Sequence, residues 1–299
     1  MDSRIELQAT DEHFKMRLDD FLFGKFNGLS KMYLRELVKN ERCEVNGRHE
    51  NRGYKLLPND LVEIHIDTTR ETAMRPENVA VDIVFEDAHL IVVNKPAGTL
   101  VHPTHRDKSG TLLNALAYHL NKAKIEDTDD LEKATAFIRA GLIHRLDKQT
   151  SGLMVVAKTS RAHRVLSDHF KRKMVAKRYL AMVDGILEID EGTIDRPIGR
   201  FAELKFWDVK EDGKHAETRF WVKERFADRT LVELEPITGR TNQLRIHCSS
   251  IGHPIVGDHA RGGSEFGRLC LHAYRLEFHH PADGSMMKFE RAVDFDESV

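Results

Sequence analysis

Cysteine is scarce in this chain. Cys43, Cys248 and Cys270 are the only three, and no two of them form a C-x-x-C pair. That spacing argues against a disulfide framework or a zinc ribbon and leaves three reduced, mostly buried thiols as the expectation. Histidine is plentiful at 17, yet there is no H-E-x-x-H and no histidine has a partner at metal-ligand spacing; no metal site is expected. The glycines form no dinucleotide or phosphate-binding fingerprint, so no cofactor is expected either. No apolar run approaches the roughly 20 residues a bilayer-spanning helix needs, so no membrane partner is expected. The opening stretch, MDSRIELQATDEHF, holds acids where a secretory leader would need a basic start and an apolar run. The expected location is therefore the cytoplasm. Excess charge is also missing, since 46 basic and 48 acidic residues leave a net charge of −2.

What remains is an ordinary globular composition, 40% hydrophobic and 31% charged over 299 residues. That length accommodates one large domain and one small one, and nothing in it calls for more than a monomer. The neutral balance speaks weakly against nucleic acid, but the charge is unevenly placed. From Lys158 to Arg178 there are eight basic residues against Asp168 alone. Acids gather instead in Glu126–Asp130 and Asp294–Glu297. Such a stripe fits a surface that faces a polyanion, and equally a solvated helix face.

Residues 13–67 read as a small α+β unit. Phe14, Leu18, Phe21 and Leu22 have helical spacing, as do Met32, Leu34, Leu37 and Val38, with Ser30 placed as an N-cap. Cys43-Glu44-Val45 reads as a strand ended by the Asn46-Gly47 turn. After a turn at Pro58-Asn59-Asp60, residues 61–66 alternate like a half-buried strand. Residues 68–79 are polar, aperiodic and contain Pro76, so they read as a linker. The remainder, 80–299, is rich in strand signals at 81–85, 90–94, 153–157, 179–183, 219–222, 231–235 and 276–278. Helices are expected at 112–120 and 161–170, and a mobile charged loop at 121–133. Strands following one another by turns predict a mixed, largely antiparallel sheet, hence an α+β class.

The sharpest stretch is GLIHRLDKQTSGLMVVA, residues 141–157. Two apolar arms flank a polar tip holding Arg145, Asp147, Lys148, Thr150 and Ser151, and Gly152 can supply an unusual dihedral where the chain turns back. Asp147 is thus offered at the end of a rigid hairpin among cations, which favour the carboxylate needed for nucleophilic or base chemistry. An aspartate that merely caps the turn would give the same pattern.

This stretch resembles the catalytic motif of the RluA-type pseudouridine synthase family, and the resemblance continues on both sides. Upstream stand VVNKPAGTLVHP (92–103) and GTLLNAL (110–116). Downstream are KRYLA (177–181), TGRTNQLRIH (238–247) with GHPIVGD (252–258), then LHA (271–273) and FHHP (278–281). Together these cover nearly all of 80–285, in the family's order. Residues 13–67 resemble the αL-type RNA-binding domain shared with a small-subunit ribosomal protein, through Arg17-Leu18-Asp19, Ser30, Val45-Asn46-Gly47, Leu57, Asp60 and Val62. Between Lys15 and Lys55 there are 10 basic against 6 acidic residues, an excess that fits phosphate contacts.

The resemblance implies a pseudouridine-synthase-like sheet and an isomerase that turns uridine into pseudouridine in RNA after extruding the base from its stack. It names Asp147 as the essential residue, attacking ribose or base or removing a ribose proton. Arg245 is expected to pair with Asp147 and aim it. Tyr179 is expected against the uracil, assisting proton removal from carbon 5, and Arg145 in the space the base vacates. Lys171, Arg172, Lys173, Lys177 and Arg178 become an RNA-backbone track. The family usually has His where Asn242 stands; both side chains donate hydrogen bonds, but Asn cannot become cationic. Ribosomal RNA, of the large subunit first, is the expected partner, with transfer RNA as the other choice. Two alternatives stand beside this reading. One is an RNA-binding or ribosome-assembly protein without catalysis. The other is a hydrolase releasing free base, which would need a second carboxylate beside Asp147.

Overall fold

The computed structural model describes residues 2–26, 29–67, 75–104, 106–125, 138–201, 203, 206–293 and 295. Two compact units emerge, residues 1–80 with 102–140, and residues 81–101 with 141–299. The expected boundary segment, 68–79, lies in part (68–74) outside the described residues.

In the first unit a three-stranded antiparallel sheet runs β1 (Asp2–Gln8), β3 (Leu61–Asp67), β2 (Cys43–Val45). Strand β1 precedes residue 13, where the sequence reading began the unit; its full pairing with β3 incorporates it. Two helices, α1 (Leu18–Lys25) and α2 (Lys31–Lys39), bury Leu18, Phe21 and Leu22 on one and Leu34, Leu37 and Val38 on the other. Ser30 caps α2 as expected, its hydroxyl accepting from the Tyr33 amide at 3.1 Å. Phe14 and Met32, counted among the periodic apolar positions, are instead exposed at 52% and 79%, because Phe14 precedes α1 and Met32 lies on the outer face of α2. Both Asn46 and Gly47 have positive φ, the two left-handed positions a type I′ hairpin turn requires. Helix α3 (Leu112–Ile125) runs past its expected end at 120. There the Asn121 amide donates to the Ala117 and Ile138 carbonyls and its oxygen accepts from the Ile138 amide. The predicted loop after Ile125, through residue 133, falls outside the described residues.

The second unit is built on a ten-stranded sheet whose main path is β4 (Asp82–Glu86), β5 (Leu90–Lys95), β7 (Ser151–Ala157), β14 (Leu271–His279), β8 (Ala176–Asp184), β13 (Arg229–Pro236), β12 (Glu217–Arg225), β9 (Glu191–Asp195). Strand β6 (Gly141–Leu142) adds to β7, and β15 (Met286–Glu290) to β14. Apart from the parallel β7–β14 contact, every pairing in this sheet is antiparallel, as the run of strands and turns predicts. A separate hairpin joins β10 (Ile198–Phe201) to β11 (Phe206–Val209). All seven residues of β7 are buried, which is why this strand reads as a continuous apolar run rather than an alternating one. Helix α4 (Ser160–Lys171) is capped by Thr159, and α5 (Gln243–Ser250) is short. Among the described residues no helix is long and apolar enough to cross a membrane.

Candidate active site

Residues 141–157 fold as the hairpin that their two apolar arms predict. Strand β6 pairs antiparallel with the far end of β7, Gly141 opposite Ala157 and Leu142 opposite Val156. Asp147 sits in the turn between the arms, its carbonyl accepting from the Thr150 amide at 3.1 Å. Gly152 follows at φ +120°, where the β7 backbone meets that of β14.

Two side chains, one buried and one half-buried, hold the base of this tip. Lys95, at the end of β5, is fully buried, and its ammonium gives one hydrogen bond each to the carbonyls of Pro96 and Thr99 at 2.8 Å and Lys148 at 3.0 Å. All three ammonium donors are thereby used, one on the residue beside Asp147. Burial pushes the Lys95 ammonium down to about 8, opposed by the negative charge of Asp147. His144 stacks on Phe170 with ring centroids 4.6 Å apart. Its Nε2 accepts from the Val155 amide at 3.1 Å. Burial, together with the nearby Lys177 charge, pushes this imidazole down to about 3, so it is a neutral wedge. Replacing Lys95 by Met would remove three charge-assisted hydrogen bonds made by a buried ammonium, each worth about 1.5–3 kcal/mol. We expect Lys95→Met to lose several kcal/mol in urea denaturation; an unchanged midpoint would show that the ammonium does not anchor the tip.

Around the tip opens a cavity of about 510 Å³. Arg145, Asp147, Lys171, Lys173, Lys177, Tyr179 and Arg245 all line it, joined by Phe170 and the loop 236–242. Among the described residues that line it, Asp147 is the one carboxylate, against six cations once Arg240 is included. Tyr179 reaches the cavity from β8; burial and the Asp147 charge both hold its phenol above the ordinary range, so it keeps its proton. Lys177 lies beside the Phe170 ring at 5.7 Å, and burial lowers its ammonium below the usual lysine value.

Two expected members of the basic track are placed elsewhere. Alternation along β8 sends Lys177 and Tyr179 to the cavity and Arg178 to the opposite face. There Arg178 lies 3.2 Å from a Glu235 oxygen and stacks over Trp221 at 4.4 Å. Arg172 pairs with Asp168 one helical turn back at 2.8 Å and does not line the cavity. Lys158, at the head of the stripe, is committed to Glu86 at 2.6 Å. The stripe is therefore not one continuous surface; only part of it faces the site.

The expected Arg245–Asp147 ion pair is also corrected. Arg245 gives its Nε to one oxygen of Asp258 at 2.7 Å and Nη2 to the other at 2.6 Å. Asp147 acts on it through space, as a further charge favouring the guanidinium. Asn242, in the left-handed conformation at φ 55°, accepts from Arg245 Nη1 at 3.3 Å. Its part in the local hydrogen bonding is thus that of an acceptor.

The helix that presents Arg245 is locked from below. The Gln243 amide donates to the Glu217 carbonyl and the Thr218 hydroxyl, while its oxygen accepts from the Thr238 hydroxyl and the Arg240 amide. Thr218 then donates to His247 Nδ1, and His247 Nε2 donates to the Arg196 carbonyl. Burial lowers His247 below the ordinary histidine range, which keeps it in this neutral form. Among the described residues no group of three or more His, Cys, Asp or Glu side chains could hold a metal ion. Asp258 and Lys95 lie within the family-like stretches 252–258 and 92–103, but local sequence does not show what they hold. Neither shares a periodic face with the residue it serves, so no spacing signal marks them.

Comparison with known proteins points one way. Residues 89–250 match the family model for RNA pseudouridylate synthase. An uncharacterized RNA pseudouridine synthase of Bacillus subtilis is 38% identical over 298 residues, covering 98% of this chain and 96% of its own. The ribosomal large subunit pseudouridine synthase D of Pseudomonas aeruginosa is 37% identical, covering 94% of this chain and 89% of its own. Among solved structures, human RNA pseudouridylate synthase domain containing 1 aligns with a TM-score of 0.57 at 27% identity, over 75% of this chain and 86% of that one.

Proposed function

The chain belongs to the RluA-type family of RNA pseudouridine synthases, which isomerise uridine in RNA to pseudouridine, and we propose that here Asp147 carries the reaction, without a cofactor, on large-subunit ribosomal RNA. The observation that supports this reading best is the carboxylate of Asp147, the only one among the described lining residues, in a cavity where six of those residues are cationic. The bond from ribose to the ring nitrogen must break, the uracil must turn, and ring carbon 5 must take its place on the same sugar. Electrons balance within the substrate, so neither a redox partner nor a group donor is required. What the protein must supply is a place for the extruded nucleotide, a carboxylate at the sugar or base, and positive charge for the flanking phosphates.

Asp147 supplies the carboxylate, as nucleophile or as base toward the ribose. Tyr179, kept as a phenol, lies against the uracil, and Arg145, exposed beside Asp147, fills the gap the base leaves. The hydrolase alternative needs a second carboxylate to activate water, and the described lining residues contain none. Ribosomal RNA as substrate is supported by relatives such as the Pseudomonas aeruginosa enzyme, whose name states it. Residues 13–67 serve as an RNA-binding module, with contacts to phosphate rather than to bases.

The test uses ribosomal and transfer RNA transcripts carrying tritium at uracil carbon 5. Forming the carbon–carbon bond must expel that label into water. Release from ribosomal transcripts supports the substrate proposal; release from transfer RNA alone overturns it. Lys171 and Lys173 are exposed and line the cavity. We expect Lys171→Ala with Lys173→Ala to weaken RNA binding across sequences and to reduce the slope of log affinity against log salt by about 2. An unchanged slope would show that these lysines do not meet phosphate.

A further inference from the structure

We infer that Asp258, helped by Asn242, is a positioning residue for the reaction: it clamps Arg245 along one edge so that the guanidinium faces Asp147 without being bound by it. This rests on reading Asp147 as catalytic, with Arg245 as a positive charge in the same cavity. Asp258 has a side chain only 1% exposed, and both of its oxygens are spent on Arg245. No other side-chain hydrogen bond of Asp258 is formed among the described residues. Its hydrogen bonds therefore act on Arg245, while Arg261 and Cys248 feel its charge only through space.

The donor count of the guanidinium gives the clamp its meaning. Five N–H groups are available. Nε and one Nη2 hydrogen go to Asp258, and one Nη1 hydrogen goes to Asn242 Oδ1. One hydrogen on each Nη nitrogen remains for the cavity that Arg245 lines. Left unclamped, a long arginine opposite a lone aspartate would close into a two-pronged pair, filling the oxygens that must reach the substrate. It would also have to be immobilised afresh in each turnover, at the cost of its rotamer freedom. A buried second carboxylate removes both problems. It takes the Nε edge in advance and leaves a fixed positive charge near Asp147. The left-handed turn at Asn242 sets the third contact, and an oxygen acceptor suffices there.

Kinetics of tritium release on the full chain test this, with Asp258→Asn, Arg245→Met and the double variant. Asp258→Asn keeps the shape of the side chain but turns amide hydrogens toward the guanidinium. We expect kcat to fall by about 10- to 100-fold with KM changed less than threefold. The double variant should be no slower than Arg245→Met within a factor of two, because among the described residues Arg245 is the group that the carboxylate holds by hydrogen bonds. A wild-type kcat in Asp258→Asn, or losses that multiply in the double variant, overturns the inference. Asn242→Gly preserves the left-handed backbone and deletes only the acceptor, and it reads the same clamp if Asp258→Asn fails to fold. It should lower kcat about threefold, and an unchanged kcat counts against the clamp. Asp147→Asn is run alongside. If it turns over normally, the reading of the site has failed; if it is inactive while Asp258→Asn is wild-type, only the clamp has.

Discussion

Asp147→Asn is expected to lose at least about 10⁴ in turnover, roughly 5 kcal/mol of transition-state stabilisation, while still binding RNA. The substitution keeps the volume and planarity of the side chain at the hairpin tip and removes its charge and nucleophilic oxygen. The tip itself should stand, since its turn is closed through backbone, Thr150 N to Asp147 O, and anchored by Lys95 on Lys148 O. Binding should persist for an electrostatic reason: among the described lining residues the six cations are untouched and the one opposing charge is gone. Affinity at fixed salt should therefore be unchanged or slightly tighter. Single-turnover tritium release gives the rate, and filter binding in the same buffer gives the affinity. Near-normal turnover would remove Asp147 from the chemistry. A joint loss of turnover and binding would mean that the substitution disturbed the site rather than the reaction.

The second large effect is one of stability. At Gly152 a methyl group would sit 2.4 Å from the Ala273 carbonyl oxygen and 2.5 Å from its nitrogen, both backbone atoms that cannot step aside. The residue also has φ +120°, a region that L side chains rarely adopt. Strain of about 1–3 kcal/mol and overpacking of similar size should combine, so Gly152→Ala is expected to cost about 2–6 kcal/mol. Its partner, β14, is the central strand that connects β7 to β8, and hence the Asp147 hairpin to Tyr179. Separation of these strands should cost activity as well. Gly98→Ala is the control. Its φ is +81° with nothing within 4 Å, so it should pay only a dihedral cost of about 1–2 kcal/mol. Urea denaturation of both variants separates the two contributions. Equal midpoints would show that the β7–β14 contact can relax to admit a methyl group.

Much of this architecture is written in short stretches of sequence. The paired apolar arms of 141–157 make a hairpin by local pattern alone, and the polar tip between them follows. Ser30 before α2, Asn46-Gly47 in its turn, and the unbroken apolar run of β7 each report their own conformation, because caps, turns and burial on both faces impose residue types directly. The family motifs carry Asp147, Tyr179 and Arg245 in order, and these three do line one cavity.

Other features depend on which side of a strand or helix a residue takes, and on what lies opposite it. Lys177 and Arg178 are neighbours in the same basic run, yet one lines the cavity and the other is held by Glu235 and Trp221 across the sheet. A charge count along the chain averages over that alternation. Arg245 looks free to join Asp147 until the loop after α5 brings Asp258 to it, 13 residues later. Lys95 is an ordinary lysine in a list and an anchor only once β5 and β7 pair, placing the Lys148 carbonyl within its reach. By itself, then, the sequence determined the elements, the family and the chemical groups, because these depend on local pattern and composition. Only the tertiary structure decided how those groups are divided among partners, because a charge is claimed by its nearest neighbour in space, and that neighbour is set by strand pairing and loop closure.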